Sequence, residues 1–247
     1  MMHNQVFIIG AQRCGTTFLY KLLDAHPQIA LAKPIRPEPK HFLNVEEYNQ
    51  GRVFYESKYF SMLDHQVKVI GEKATSYIEY PDVAKRIKDY YPGAKVLLVL
   101  RNPVDRAISN YLFSKENGLE TRTAEEVFLE NCPPPELSKS VSVNPFEYLK
   151  RGQYMEYIPH FWSEFGENMK IILFEELFLL PQTYIEICRF LSVDPDLAGV
   201  PEKGKINESK SELETVKLNE IRAKLAAHYQ PYNEDLEAFL GRKTNWL

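Results

Sequence analysis

The hydrophobic pattern at the N-terminus predicts a strand, a loop and a helix in succession. Val6–Ile9 is an uninterrupted run of β-branched and aromatic residues that stops at Gly10, which is typical of a buried parallel strand feeding a loop. Thr16–Asp24 then carries apolar residues at helical spacing and ends before a proline-containing turn. A short strand is predicted around Ile29–Leu31, and the prolines of 34–39 predict an extended segment without regular structure.

Apolar runs and helical patterns alternate through the rest of the chain. The predicted strands are Val67–Ile70, Val96–Leu100 and Lys170–Phe174. The predicted helices are Pro81–Tyr90, Pro103–Lys115, Glu147–Phe165, Gln182–Leu191, Ser211–Tyr229 and Asn233–Leu240. Asn131–Pro145 is rich in proline and predicts a long surface loop, a kind of segment that is often functional. Because strands alternate with helices, we expect an α/β fold with a central, mostly parallel sheet covered by helices on both faces.

Length and charge narrow the classes of function. The chain has 247 residues, 44% of them hydrophobic, which suffices for one substantial core, so a single domain over 1–247 is expected. A net charge of −4 provides no global basic field, and nucleic acid is therefore not an expected partner. No run approaches the roughly 20 apolar residues that a membrane span needs. The N-terminal apolar run is too short for a signal-peptide core, so the expected location is cytoplasmic.

The cysteines and histidines indicate neither a disulfide framework nor a metal site. Cys14, Cys132 and Cys188 are odd in number, far apart and without C-x-x-C spacing, which fits a reducing compartment. The six histidines show no H-x-x-x-H spacing. We therefore expect no metal, and the oligomeric state is not indicated by any pattern in the chain.

The segment Gly10–Thr17 is the first candidate for chemistry. It lies between a predicted strand and a predicted helix, where a loop can turn backbone N–H groups toward an anion. Arg13 adds a cation, and Thr16 and Thr17 add hydroxyls. The two glycines have the spacing of G-x-x-x-x-G-K-[ST], but threonine replaces the lysine that contacts the β- and γ-phosphates, which argues against a nucleoside triphosphate. The glycines alone fit a simple βα turn equally well.

The longer phrase Phe7–Thr17 resembles the 5′-phosphosulfate loop of sulfotransferases, particularly the heparan-sulfate-type branch and its bacterial relatives. Much of that branch has Lys where this chain has Arg13, which keeps the positive charge but offers a planar fork. The resemblance implies a P-loop-like three-layer fold and use of 3′-phosphoadenosine 5′-phosphosulfate (PAPS), with adenosine 3′,5′-bisphosphate (PAP) as product. The donor contacts that it implies in this loop are Gln12, Arg13, Cys14, Gly15, Thr16 and Thr17.

A second phrase, Leu97–Ser109, resembles the signature with which this family holds the 3′-phosphate. In that signature an Arg at a strand end and a Ser on the next helix bind the phosphate, and these positions are Arg101 and Ser109 here. Arg101 follows a predicted central strand, and open α/β sheets bind ligands at the carboxyl ends of their strands. Each residue taken alone fits the simpler alternative better, which is a surface ion pair for Arg101 and a solvated serine for Ser109.

Two further segments resemble those that carry the reaction in the family. In Glu38–Phe42 the glutamate corresponds to the general base, although His41 stands where an aromatic residue is commoner. Gly71–Tyr77 resembles the E-K-[TS]-P-x-Y stretch, whose lysine contacts the sulfuryl group, so Lys73 is a second candidate cation. Without the resemblance, Glu38 fits an exposed loop acid and Lys73 a surface lysine at a strand end.

The C-terminal half adds weaker resemblances. Arg151–Tyr154 is similar to the start of the family's G-x-Y helix, and Tyr154 either approaches the cosubstrate or is a buried aromatic residue. Lys203–Lys210 is placed where the family closes a loop over the 3′-phosphate and adenine, although a solvated charged loop is an equal alternative. The donor contacts expected there are Lys205, Asn207 and Ser209.

Together these resemblances imply a PAPS-dependent sulfotransferase that acts by in-line displacement. Glu38 is expected to take the proton of an acceptor hydroxyl, while Arg13 and Lys73 stabilise charge on the departing phosphate. The acceptor is a small molecule, lipid or carbohydrate that the residue types do not name. Alternatives are a magnesium-dependent P-loop kinase of small metabolites and a non-catalytic nucleotide-binding relative. Five aromatic residues fit either an acceptor wall or the core: Phe42, Tyr48, Tyr55, Tyr59 and Phe60.

Overall fold

The computed structural model describes residues 3–136, 143–179, 181–198 and 215–246. Its strands are β1 (Asn4–Gly10), β2 (Ile29–Leu31), β3 (Val69–Lys73), β4 (Lys95–Leu100) and β5 (Met169–Leu173). These strands form one parallel sheet in the order β2-β3-β1-β4-β5. Since the strands are parallel, their carboxyl ends lie at one edge of the sheet, where the loops of α/β folds bind ligands.

Nine α-helices lie within the described residues. They are α1 (Thr16–Asp24), α2 (Val45–Tyr48), α3 (Gly51–Phe60), α4 (Pro81–Tyr90), α5 (Pro103–Glu116), α6 (Ala124–Phe128), α7 (Ile158–Phe165), α8 (Gln182–Leu191) and α9 (Thr215–Leu240). Helices α1, α4 and α8 have the predicted bounds, and α5 differs from its prediction by one residue. The short helices α2, α3 and α6 were not predicted.

The chain divides into two compact units, each built from two separate stretches. One contains the described residues within Met1–Leu100 and Tyr157–Ile206, and so includes the whole sheet with α1 to α4, α7 and α8. The other contains the described residues within Arg101–Glu156 and Asn207–Leu247, and so includes α5, α6 and α9. The predicted loop 10–17, Glu38 and Lys73 belong to the first unit.

Helices cover both faces of the sheet in the first unit. The chain runs from β1 through α1 to β2 in one direction across the sheet, and from β3 through α4 to β4 in the other. Parallel crossovers are right-handed, so α1 and α4 lie on opposite faces. Helix α7 packs against α4, while His26, just after α1, contacts the ring of Tyr184 on α8. The predicted three-layer α/β arrangement is therefore confirmed.

The core follows the uninterrupted apolar runs of the central strands. Every residue of Val6–Ile9 and of Val96–Leu100 is completely buried, as expected for strands covered on both faces. The aromatic residues left open between an acceptor wall and the core pack against one another. Phe42 and Tyr55 are buried, with ring centroids 5.3 Å apart, and the Tyr59 ring lies 5.4 Å from that of Tyr55. This packing favours the core alternative.

Strand β3 lies two to three residues later than the predicted Val67–Ile70. Its partner β1 explains the shift, because Asn4 pairs with Val69 and Ile8 pairs with Lys73. The strand therefore includes Glu72 and Lys73, which are both buried despite their charge. The sequence prediction followed the apolar residues and therefore ended before these two polar ones. Their pairing with β1 shows that they belong to the strand.

The predicted helix Glu147–Phe165 is wrong in its first half. Only α7 is a regular α-helix there, and short 3₁₀ turns precede it. Gly152 is one reason, since a Cβ at this position would lie 2.7 Å from the ring of Tyr229. The backbone is thus pressed against an aromatic ring and interrupts the helix. Pro159 lies in the first turn of α7 and begins a new helix, as proline does at that position.

The two predicted closing helices are a single helix, α9, within the described residues. Pro231 lies inside it, although proline lacks the N–H for an intrahelical bond and clashes with the preceding turn. A buried stripe continues on both sides of the proline and packs the helix as one element. The stripe consists of Ile221, Leu225, Tyr229 and Leu236. Burial of this stripe stabilises the helix by more than the proline destabilises it. The hydrophobic periodicity on either side of Pro231 did not indicate that one helix continues through it.

Candidate active site

The loop between β1 and α1 has a backbone suited to binding an anion. Arg13 has a φ of 67° and Gly15 a φ of 83°, both in the left-handed region. Among the residues that the structure describes, no side chain caps the N-terminus of α1. The first N–H groups of a helix have no intrahelical partner, and the helix dipole favours a negative charge beside them. Together with Arg13 and the hydroxyls of Thr16 and Thr17, these donors fit a phosphate or sulfate group.

Contacts within the first unit hold this loop in place. The Ala11 N–H donates to the Val99 carbonyl at 2.8 Å, and Gln12 Nε2 donates to Glu79 Oε1 at 2.9 Å. The Cys14 side chain is buried, with its Sγ 3.6 Å from the Gln12 carbonyl. The side chains of Gln12 and Cys14 therefore anchor the loop, the Cys14 N–H donates to the Ala11 carbonyl at 3.3 Å, and the contacts of both residues with the donor stay predictions.

Gly15 is required at its position for two reasons. Its φ of 83° is one that residues with a side chain rarely adopt, and a Cβ there would lie 2.8 Å from the ring of Phe174. Phe174 begins the 3₁₀ turn that follows β5, so Gly15 allows the loop and this turn to approach closely. Gly15 thus shapes the backbone of the loop, and its contact with the donor stays a prediction.

Glu38 and Lys73, selected from separate motifs, form an ion pair. Lys73 Nζ donates to Glu38 Oε1. The Thr75 N–H donates to Glu38 Oε2 at 2.9 Å, and the Thr75 hydroxyl lies 3.1 Å from both carboxylate oxygens. The Lys73 side chain is 3% exposed and that of Glu38 is 15% exposed. The carboxylate is thus held by three donors and still reaches solvent.

Strand pairing places this ion pair beside the anion loop. Ile8 on β1 pairs with Lys73, and the Ala74 N–H donates to the Ile8 carbonyl at 3.1 Å. At Gly10, where the loop begins, a Cβ would lie 3.1 Å from the Thr75 carbonyl. The candidate base, one candidate cation and the start of the loop therefore meet at the carboxyl ends of two adjacent strands.

Arg101, Ser109 and Tyr154 belong to the second unit. The Tyr154 hydroxyl donates to the Arg101 carbonyl at 2.7 Å and accepts from the Arg101 N–H at 3.4 Å. Tyr154 is buried, and its ring lies 6.1 Å from that of Trp246. Of the two alternatives for Tyr154, the buried aromatic residue is thus observed, and its hydroxyl also positions Arg101. Ser109 lies on α5, which begins two residues after Arg101.

Three predicted residues cannot be placed, and three others were missed. Lys205, Asn207 and Ser209 lie outside the described residues. Thr75, which lies within the motif Gly71–Tyr77, supplies two donors to Glu38. Glu72 and Tyr77 lie in the same motif, and the Tyr77 hydroxyl donates a hydrogen bond to Glu72 Oε1. The motif's own polar residues were the available signal for all three.

The described residues contain neither a cluster of potential metal ligands nor a helix suited to a membrane. Among the described residues, no three His, Cys, Asp or Glu side chains are grouped so that they can hold a metal ion. Within the same part of the chain, no helix combines the length and the apolar character needed to cross a membrane.

Comparisons with known proteins agree with this geometry. A family model described as "Sulfotransferase domain" matches residues 3–235. The chain is 26% identical over 261 residues to mouse bifunctional heparan sulfate N-deacetylase/N-sulfotransferase 4, covering 95% of this chain and 30% of that protein. It is 36% identical over 117 residues to human heparan sulfate glucosamine 3-O-sulfotransferase 6, covering 47% of this chain and 32% of that protein. The matched part is thus about a third of each curated relative.

A solved structure matches along the whole length. The crystal structure of a sulfotransferase from Alicyclobacillus acidocaldarius superposes with a TM-score of 0.75 at 27% identity, covering 100% of this chain and 99% of that one. The P-loop-like fold and the family implied by the motifs are confirmed, and the kinase alternative is not favoured. With loop, ion pair, fold and family match in agreement, the chain belongs to the sulfotransferase family, whose members use PAPS as sulfuryl donor.

Proposed function

We propose that this chain moves a sulfuryl group from PAPS to an acceptor hydroxyl and releases PAP. The observation that carries the proposal is the Glu38–Lys73 ion pair at the end of β3, beside the anion loop. In-line displacement requires a base for the attacking hydroxyl, a cation near the transferred group and a rigid anion site. These three parts lie together at one edge of the sheet.

The anion loop supplies the donors proposed for the 5′ end of PAPS. The backbone N–H groups at the start of α1, the Arg13 guanidinium and the hydroxyls of Thr16 and Thr17 would hold its phosphate and sulfuryl groups. Arg101 and Ser109 are proposed contacts of the 3′-phosphate. Lys205, Asn207 and Ser209 are proposed contacts in the same region of the donor.

Glu38 is proposed as the general base. A carboxylate accepts about four hydrogen bonds, and Lys73 with Thr75 supplies three donors, so one acceptor position is left for the hydroxyl proton. The acceptor oxygen forms its bond to sulfur as the bond from sulfur to the 5′-phosphate oxygen breaks, and Glu38 receives the proton. Lys73 and Arg13 offset the negative charge that moves to the departing phosphate.

The acceptor is proposed to be a carbohydrate, a lipid or a small alcohol. Support for a carbohydrate comes from the relatives named for heparan sulfate, but those proteins are about three times longer than the matched part. The single domain, the cytoplasmic location and the absence of a nucleic-acid partner stay predictions. An acceptor screen with labelled donor tests the class directly.

The proposal is tested by binding and turnover together. Calorimetry with PAP should show binding without added metal, and incubation with labelled PAPS and a library of sugars, lipids and alcohols should label at least one acceptor. Binding of PAP without any turnover would support a non-catalytic relative instead. Phosphoryl transfer from ATP that depends on magnesium, with no binding of PAP, would support a kinase and overturn the proposal.

A further inference from the structure

The segment that carries Glu38 is also tied to β3 by a second set of buried contacts. The Phe42 N–H donates to the Tyr77 hydroxyl at 2.9 Å, and the Tyr77 hydroxyl donates to Glu72 Oε1. Phe42, Tyr77 and Glu72 are all completely buried. Because a buried N–H without a partner is costly, this chain of hydrogen bonds sets where Phe42 lies relative to the strand.

The backbone of Phe42 is held on its other side as well. Arg86 Nη1, on α4, donates to the Phe42 carbonyl at 2.9 Å. Its neighbour His41 makes a longer contact, with Nδ1 3.6 Å from a Glu47 carboxylate oxygen, and within the described part of the chain neither ring nitrogen has a hydrogen-bond partner. The His41 ring instead packs 4.6 Å from Tyr55. The Phe42 backbone is thus held by one hydrogen bond at its N–H and another at its carbonyl.

Glu72 and Lys73 act on the Glu38 segment from opposite faces of one strand. They are successive residues of β3, so their side chains project to opposite sides of the sheet. Lys73 contacts Glu38 itself, and Glu72 reaches Phe42 through Tyr77. Lys73 therefore holds one end of the segment Glu38–Phe42, and Glu72 holds the other end through Tyr77.

The buried carboxyl of Glu72 carries a cost that its contacts do not remove. Its second oxygen, Oε2, has no hydrogen-bond partner among the residues that the structure describes. Burial raises the pKa of Glu72 to about 7. A hydrophobic residue would fill this position without such a penalty, and strongly perturbed acids are concentrated at functional sites.

We propose that Glu72 and Tyr77 are positioning residues for sulfuryl transfer. They hold the backbone at Phe42 so that Glu38 stays in reach of Lys73 and of the acceptor hydroxyl. No atom is transferred through them, because the Tyr77 hydroxyl keeps accepting from Phe42 and donating to Glu72. The inference rests on the proposed role of Glu38 as the base.

Tyr77→Phe tests the proposal by removing one oxygen. We expect kcat to fall about tenfold to a hundredfold, as small displacements of a catalytic group do, while the affinity for PAP changes by less than about twofold. Hydrogen exchange of the Phe42 amide should become faster, since it loses its acceptor. The matched control is Tyr184→Phe, which removes the hydroxyl of another completely buried tyrosine, on α8, and should leave kcat and the exchange at Phe42 unchanged.

Two substitutions of Glu72 provide an independent test, including the case in which Tyr77→Phe does not fold. Glu72→Gln keeps an oxygen that can accept from Tyr77 and should retain kcat within about threefold, whereas Glu72→Leu should lose kcat as Tyr77→Phe does. Equal kcat in Glu72→Gln and Glu72→Leu, or unchanged exchange at Phe42 in Tyr77→Phe, would overturn the inference. A wild-type protein that turns over no acceptor defeats the proposed function, while the exchange measurement still reports on the Phe42 contact.

Discussion

Lys73 Nζ donates to Glu38 Oε1, so a cation and a carboxylate that lie 35 positions apart in the sequence form one pair. The pair is asymmetric. Lys73 is almost fully buried and Glu38 is partly exposed, and Glu38 also accepts from Thr75. Loss of the carboxylate therefore leaves a buried ammonium, whereas loss of the ammonium leaves a carboxylate that still has donors.

This asymmetry predicts unequal effects on stability. Glu38→Ala should lower the free energy of unfolding by about 3 kcal/mol, because Lys73 is left as an uncompensated buried charge. Lys73→Met, which fills similar volume without the charge, should cost clearly less. Urea unfolding of both variants and of the double variant measures the difference. Equal destabilisation by the two single substitutions would contradict this account of the pair.

The same residues predict a separation of catalysis from donor binding. Glu38→Ala and Lys73→Ala should each lower turnover by about two to four orders of magnitude, the range associated with loss of a general base or of charge stabilisation. Binding of PAP should be largely unchanged in both, since the anion loop and Arg101 are intact. Calorimetry with PAP and turnover with labelled PAPS give the two numbers, and near-normal turnover in either variant refutes its assignment.

Loss of the Thr75 hydroxyl should lower kcat less than loss of Glu38 does. Thr75→Val removes the hydroxyl that lies 3.1 Å from both oxygens of Glu38 but keeps the N–H contact and the branched shape. We expect kcat to fall about tenfold, which corresponds to one hydrogen bond to a charged group. Thr75→Ser keeps a hydroxyl and is the matched control, and it should retain most of the wild-type kcat.

Substitution of Gly15 tests how strongly PAP binding depends on the backbone conformation of the anion loop. Gly15→Ala forces a side chain onto a φ of 83° and places a Cβ 2.8 Å from the Phe174 ring, so the loop must shift. The affinity for PAP should fall at least about tenfold, since backbone strain of this kind costs on the order of 1–3 kcal/mol. Gly93→Ala is the control, because a Cβ at Gly93 would meet no atom of the described residues within 4 Å, its two chain neighbours aside. An unchanged affinity for PAP in Gly15→Ala would show that the loop does not bind the donor.

Glu72 predicts a pH dependence of stability. Its pKa is raised by burial from 4.5 to about 7, so the folded state binds the proton more tightly than the unfolded state does. This contribution to stability is present below about pH 4.5, decreases as the pH rises and is lost above about pH 7, and it amounts to at most about 3 kcal/mol. The groups that act on Glu72 are Tyr77, Tyr55, Glu38 and Glu47.

Glu72→Gln isolates that contribution because glutamine does not titrate. Between pH 5 and pH 8 the free energy of unfolding of the wild-type protein should fall relative to that of Glu72→Gln, measured in urea at both pH values. Parallel pH dependences in the two proteins would show that Glu72 does not titrate in this range. The other ionisable groups contribute equally to both proteins and cancel in the comparison.

The amino-acid sequence by itself determined the order of the five strands and the positions of α1, α4, α5 and α8, and it predicts an anion loop after β1. Val6–Ile9 and Val96–Leu100 are apolar without interruption, and α1 and α4 have clear helical spacing with proline or glycine at their ends, so neighbouring residues suffice to predict them. The loop's glycines, its arginine and its threonines likewise indicate an anion site from their own chemistry. These features depend on neighbouring residues, and such local interactions can be predicted from a sequence.

Tertiary structure alone decided how the selected residues meet. The contacts Lys73–Glu38 and Tyr77–Phe42 each join positions 35 residues apart, and they exist because β3 pairs with β1 and the segment 38–42 packs against it. Helix α9 continues through Pro231 because a buried stripe is stabilised by packing, which local propensity opposes. Which strands pair and which distant segments pack together depend on residues far apart in the chain, so a local pattern does not specify these contacts.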